Sequence, residues 1–346
     1  MKLLSHTEIL PFLPGVAAFS PGRLLGLASL HDVVGNNTEY EALIRKGLSE
    51  PTASRSVKFS PFKGDWESLR KDSVLRNSEW TWRINTSEIA VPNNDGPGYK
   101  LQDPHVVGTS YDLSWPKGTN LSDALDGANG TFCATTLASF NLPVSVLNKY
   151  TDEHAGADCT PLLGEECVKS LLSTKEGAVW VTNENGGQCI SPAKAWSEIP
   201  SCRDSLGAVK DYGLLYSGWP LDGRNPRNNA TADKPWEAGN EFYVNVSSAV
   251  NGTASDTYLW SVNQLHILML DARVPSGRGS GQFVGSPQLL CARVNATKLP
   301  EKDGDKDGVA RLGENIRGSS SGVERLGYSV GVLVLTLTVA LASIAM

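Results

Sequence analysis

Apolar positions along most of this chain either alternate with polar ones or come in short runs closed by Gly, Pro, Asn and Asp. That is the pattern of short strands joined by turns. Residues 80–84 (WTWRI) alternate Trp, Thr, Trp, which predicts a strand with both indoles on one face. Residues 178–182 (AVWVT), 242–247 (FYVNVS) and 289–294 (LLCARV) read the same way, and 257–274 supplies the longest β-prone run. Residues 132–147 predict a strand pair broken at Pro143. Helical spacing is confined to a few places. In 38–48, Tyr40, Leu43, Ile44 and Leu48 share one face, with Glu39 and Glu41 early and Arg45 and Lys46 late, as the helix dipole favours. Thr160 in N-cap position and Pro161 at N1 predict a second helix over 161–173.

The intervening stretches read as irregular. The segment through Arg76 is polar, and 91–119 is rich in turn residues, with room for one short strand at 106–111. Residues 190–212 predict a disulfide-held turn and a short helix, and 214–241 a loop. The fold class expected is a β-rich ectodomain, all-β or α+β, with a few short helices and a C-terminal hydrophobic tail.

Four segments follow from this pattern. Residues 1–34 are poorly defined: an apolar stretch interrupted by His6, Glu8, Pro11 and Pro14 makes either a weak signal peptide or a start assigned downstream of the true one. Residues 35–298 form the ectodomain, and 299–326 form an acidic and Ser/Gly-rich stalk. Residues 327–346 (GYSVGVLVLTLTVALASIAM) carry no charge and are long enough to cross a bilayer as a helix.

At 346 residues, 40% hydrophobic and 20% charged, the chain is large enough for a real core and unlike a disordered one. A net charge of -6 without a basic stripe argues against a nucleic-acid partner. Six cysteines, Cys133, Cys159, Cys167, Cys189, Cys202 and Cys291, suit three disulfides and an oxidising compartment. On a continuous helix Cys159 and Cys167 would stand about 12 Å apart. A bridge needs about 7 Å, so each is expected to bond elsewhere, and Cys189 with Cys202 is the local pair expected. Asparagine sequons begin at Asn36, Asn85, Asn120, Asn129, Asn229, Asn245, Asn251 and Asn295, more than the roughly three that chance would give. Asn245 is expected on the solvent face of its strand. Even cysteines and abundant sequons both indicate the secretory route.

Several constellations carry possible chemistry. Asp303, Asp305, Asp307, Gly308 and Glu314 match the calcium-loop template, in which carboxylate oxygens surround one hard cation. Pro300 and Arg311 and the glycines at 313 and 318 spoil the flanking helices, so a solvated acidic stalk is the stronger reading and calcium the one cofactor to consider. Residues 318–322 (GSSSG) satisfy G-x-S-x-G without the strand and helix that a nucleophile elbow needs. Small residues there, followed by a short spacer and the apolar tail, instead match a glycolipid-anchor signal, with attachment expected at Gly318, Ser319 or Ser320. A plain transmembrane helix is the alternative. His266, within LHILML, reads as a core residue rather than a base, and no catalytic residue is marked. Among nine tryptophans, Trp219 and Trp236 sit in loop-like sequence that suits stacking on sugar rings.

WTWRI, the KYTDE loop ahead of DCTPLLGEECVKSLL, the CRDSLG turn and the Ser-rich stalk with its tail resemble the uncharacterised secreted or surface-anchored glycoproteins of filamentous ascomycete fungi, over residues 78–346. The resemblance implies an extracellular location and no known activity. The function expected is therefore a non-enzymatic surface glycoprotein, at the outer leaflet or cell wall, whose partners are the membrane and cell-wall polysaccharide. A wall carbohydrate-binding or hydrolysing module and a tail-anchored intracellular protein are the alternatives.

Overall fold

A computed structural model describes residues 38–62, 78–92, 103–116, 131–138, 142–152, 156–173, 178–182, 188–192, 199–206, 215–220, 238–239, 241–247, 249–252, 255–275 and 283–300. The described residues begin with helix α1 (Thr38–Ser49), then strands β1 (Ala53–Phe59), β2 (Trp80–Ala90), β3 (Pro104–Ser114) and β4 (Thr131–Ala138). Short helices α2 (Val144–Leu147), α3 (Thr160–Leu163) and α4 (Glu165–Leu172) follow, then the ribbon β5 (Ala178–Thr182) and β6 (Gln188–Pro192). A 3-10 turn (Pro200–Cys202), α5 (Arg203–Leu206), β7 (Leu215–Pro220), β8 (Glu241–Val246) and β9 (Val250–Asn251) lead to α6 (Ser255–Asn263), β10 (His266–Pro275) and β11 (Phe283–Ala292). The described residues are thus β-rich, with few and short helices.

All pairings are antiparallel. One sheet runs β1-β2-β3-β8 with β9 on β3, a second runs β11-β10-β4-β7, and β5 pairs β6. The first sheet turns Val57, Phe59, Trp80, Trp82, Ile84, Tyr111 and Leu113 inward against the second sheet's Ile267–Leu270 and Leu289–Ala292 and against α2 to α4. This main core is knit by edge-on aromatic contacts, such as Trp82 to Tyr111 at 5.4 Å between centroids, in the geometry that ring quadrupoles favour. Trp80 and Trp82 share the inward face, as their i, i+2 spacing requires.

The other face of the first sheet carries a smaller core. There Ile44 and Leu48 of α1 pack on Ile89, Val91, Val106, Val244 and Val246. The approach is close enough that a Cβ on Gly47 would lie 2.6 Å from Ile89 Cγ1, so glycine is required where helix meets strand. The Ser87 hydroxyl donates to the Gly47 carbonyl at 2.6 Å and fixes the helix end.

Two disulfides join distant parts of the chain. Cys159 bonds Cys291, 132 residues away, and Cys167 bonds Cys202, 35 residues away. The expectation that Cys159 and Cys167 bond elsewhere holds, whereas the expected Cys189–Cys202 pair is replaced by Cys167–Cys202. Helix α4 lies against the Pro200–Cys202 turn and brings the two sulfurs together.

Other sequence expectations are revised. The helix over 161–173 is two helices, because Gly164 at φ +85 breaks it. Cys159 is its N-cap residue; Asp158 Oδ1 accepts from the Thr160 amide and hydroxyl. Pro143 begins helix α2 rather than splitting a strand pair. The run over 257–274 divides into α6 and β10, β1 and β7 lie in segments read as irregular, and β3 extends the short strand expected at 106–111. In β1 only Val57 and Phe59 are large and apolar, and pairing with β2 supplies what local pattern does not.

Candidate functional site

Polar side chains collect on the outward face of the first sheet, beside α1. Residues paired across an antiparallel ladder point to the same face. Arg83 pairs Asp112, Asn85 pairs Ser110, and Asp112 pairs Glu241 at a register shift in β3 and β8. The five side chains therefore emerge together, with the Glu41–Arg45 ion pair of α1 alongside. The i, i+2 run Thr81, Arg83, Asn85, Ser87 in β2 and its counterpart Ser110, Asp112, Ser114 in β3 were the available sequence signals. They were overshadowed by the apolar residues of the opposite face.

The floor of this cluster is buried and its rim is not. Asp112 is 1% exposed, and the guanidinium of Arg83, itself half-exposed, donates from Nε to Asp112 Oδ2 at 2.8 Å. Asn85 Nδ2 reaches the same oxygen at 3.4 Å. Burial raises the Asp112 pKa above the ordinary carboxylate value, opposed by Arg83 and Asn85. Burial raises that of Glu241 too, assisted by the Asp112 charge and opposed by Ser110, Arg45 and Arg83. Two buried oxygens, Asn85 Oδ1 and Ser110 Oγ, have no hydrogen-bond partner. The influence of Ser110 on Glu241 is thus that of a nearby hydroxyl short of full hydrogen-bond geometry.

A second polar group lies on the inward side. The Tyr111 hydroxyl donates to His266 Nδ1 at 2.8 Å, and His266 Nε2–H donates to the Ser261 carbonyl at 3.0 Å. Both ring nitrogens are satisfied in the neutral form, and burial lowers the His266 pKa to about 4, the Ser261 carbonyl resisting and Arg293 assisting. His266 is a core residue, as its apolar sequence surroundings implied. Arg293 is buried as well, and its guanidinium donates to the carbonyls of Asn263, Leu147 and Thr297.

The expected site residues fall in several places. Asn85 is 4% exposed and lies in β2, so a glycan there is incompatible with the folded sheet. Asn245 on β8 is half-buried rather than fully on a solvent face. Asn295 is half-buried, donates from Nδ2 to Asn263 Oδ1 at 2.9 Å and accepts from the Thr297 amide at 3.0 Å. Asn251 lies in β9. Asn36, Asn120, Asn129, Asn229, Asp303, Asp305, Asp307, Glu314, Gly318, Ser319 and Ser320 lie outside the described residues, as does the tail 327–346. Cys133 is on β4 and Cys189 on β6. Trp219 is in strand β7 rather than a loop, and Trp236 lies outside the described residues. Among the described residues no group of three or more His, Cys, Asp or Glu is placed to hold a metal ion, and no helix is long and apolar enough to cross a membrane.

Comparison with known protein families, with curated proteins and with solved structures finds no match to this chain.

Proposed function

We propose that this protein is a non-enzymatic ectodomain of the secretory route, displayed at the cell surface through its C-terminal segment. The observation that carries this reading is the Cys159–Cys291 bridge, which ties the start of helix α3 to strand β11 across 132 residues. Such long-range bridges persist in oxidising compartments and are removed in reducing ones. The sequons and the apolar tail at 327–346 support the same address. In this reading the β-rich body is a recognition or wall-facing module, and the stalk at 299–326 holds it away from the bilayer.

The test is expression of the full chain in a fungal host, followed by phosphatidylinositol-specific phospholipase and endoglycosidase treatment. Release by the lipase, with a fall in mass on deglycosylation, is the expected result. A protein retained in the cytosol with free thiols and no glycan sinks the proposal.

A further inference from the structure

We propose that residues 294–300 are a load-relieving latch: when the chain is pulled from its C-terminal side they peel off the body, and the Cys159–Cys291 bridge stops the peeling. The load comes from the tether, so this role rests on the surface-displayed reading above; the latch itself does not.

Residues 294–300 follow β11 without joining a strand, and side chains and carbonyls from three separate places hold them. Arg55 of β1 donates from Nε to the Arg293 carbonyl at 3.2 Å and from Nη2 to the Val294 carbonyl at 3.3 Å. At the end of α6, the Val262 carbonyl accepts from the Asn295 amide at 2.8 Å, and Asn263 Oδ1 accepts from Asn295 Nδ2 at 2.9 Å. Asn148, directly after α2, takes both backbone groups of Leu299. Its Nδ2 donates to the Leu299 carbonyl at 3.0 Å and its Oδ1 accepts from the Leu299 amide at 2.7 Å. Val294 and Ala296 are buried, and Leu299 is partly packed on the main core.

The direction of the load decides what breaks. Tension arriving from residue 301 meets Leu299 first, and the contacts behind it are then loaded in turn. Each hydrogen bond contributes about 1 kcal/mol net, so a pull that meets them one or two at a time is little resisted. Beyond Val294 the resistance changes in kind. The Arg293 guanidinium is buried and donates to the carbonyls of Asn263 and Leu147. Strand β11 is laddered to β10 along its whole length. Cys291 is joined covalently to Cys159 at the start of α3, and the adjoining α4 is joined through Cys167 to Cys202. Stripping β11 from its end would therefore drag α3 out of the core with it. A weakly held segment beside such a unit is the one that opens locally, which lengthens the tether and spares the body.

Two measurements on the full chain in detergent test this, and neither uses a membrane, so the latch and the address can fail separately. In hydrogen exchange, peptides covering 294–300 should open independently of β10 and β11. Asn148→Ala should speed their exchange about tenfold or more and leave β10 unchanged. Urea midpoints check folding, Arg55→Gln serves if Asn148→Ala does not fold, and Ser145→Ala, exposed on α2, should change nothing. In optical trapping, handles are coupled at position 166, an exposed glutamate, and at the C-terminus, with the disulfides intact. The wild type should lengthen first by at most about 25 Å in one reversible step, and further only at higher force. Asn148→Ala should lower the force of that first step. Exchange of 294–300 only together with β10 and β11 overturns the proposal. So does a first step whose force is unchanged by both Asn148→Ala and Arg55→Gln, or one in which the body unfolds with the segment.

Discussion

His266 makes a pH prediction that depends on geometry rather than composition. Its neutral ring bridges Tyr111 and Ser261 in the main core, and a proton added at Nδ1 would displace the Tyr111 hydroxyl as donor. It would also place a charge in apolar surroundings with Arg293 repelling it. The pKa is about 4 in the folded protein against an ordinary 6.5, so the unfolded chain binds more protons between these values. Stability from this group is complete above pH 6.5 and is lost as pH falls toward 4. At about 1.4 kcal/mol per pH unit the whole gap is worth about 3 kcal/mol, and between pH 7 and pH 4.5 the loss is about 2.4 kcal/mol, roughly a 60-fold change in the unfolding equilibrium. Asp112 and Glu241 act the other way, because their raised pKa values make the folded state the better proton binder. The wild type must therefore be compared with His266→Gln, in which those carboxyl groups are unchanged and cancel. Urea melts followed by tryptophan fluorescence at pH 7, 6, 5 and 4.5, with disulfides intact, provide the measurement. The wild type should be the more stable at pH 7, by about 1–3 kcal/mol for the bonds lost at Tyr111 and Ser261, and its advantage should shrink by about 2.4 kcal/mol at pH 4.5. A gap that stays constant across the series refutes the argument.

Other consequences follow from packing and covalent links. Gly47→Ala should destabilise the protein by about 1–3 kcal/mol, seen as a lower urea midpoint, because its methyl would overlap Ile89 Cγ1. Paired replacement of Cys159 and Cys291 by Ser should cost about 4–5 kcal/mol from the freed chain entropy of a 132-residue separation, measured in the same melts without reductant. Arg293→Met should cost about 3–5 kcal/mol, since the carbonyls of Asn263, Leu147 and Thr297 lose the guanidinium as donor. If six cysteines make three bridges, elimination joins Cys133 to Cys189, on strands β4 and β6 that lie against each other. Non-reducing peptide mapping should recover that linked pair.

Periodicity alone was enough for some of this fold. Helix α1 was legible because four apolar residues at helical spacing lie on one face with charges graded along it. Strand β2 was legible from Trp80 and Trp82, β5 from its short β-branched and aromatic run closed by turn residues, and β8 from plain alternation. The withdrawal of His266 into the core was foreshadowed by its apolar neighbours. Other features were not local. Strand β1 is held by pairing to β2, with few large apolar residues of its own, and β10 is buried throughout residues 266–271, so the run that includes it has no period to distinguish strand from the preceding helix α6.

The candidate site was the least legible part. Arg83, Asn85, Ser110, Asp112 and Glu241 come from three strands, and Glu241 is more than 120 residues from Asp112 in the chain. Only the register of β2, β3 and β8 makes them one surface, because a one-residue slip would turn every one of them to the other face. The same applies to the cysteines. Their even number spoke for disulfides, but partner choice waited on the break at Gly164 and the docking of α4 on the Pro200–Cys202 turn. The sequence by itself determined the strand-rich character, the cysteine count and the apolar tail, since those depend on residues near one another or simply on their number. The tertiary structure alone decided which cysteines bond, that Asn85 is buried on the sheet face beside α1, and that polar side chains from three strands gather there, since those depend on strand register and on what packs above each face.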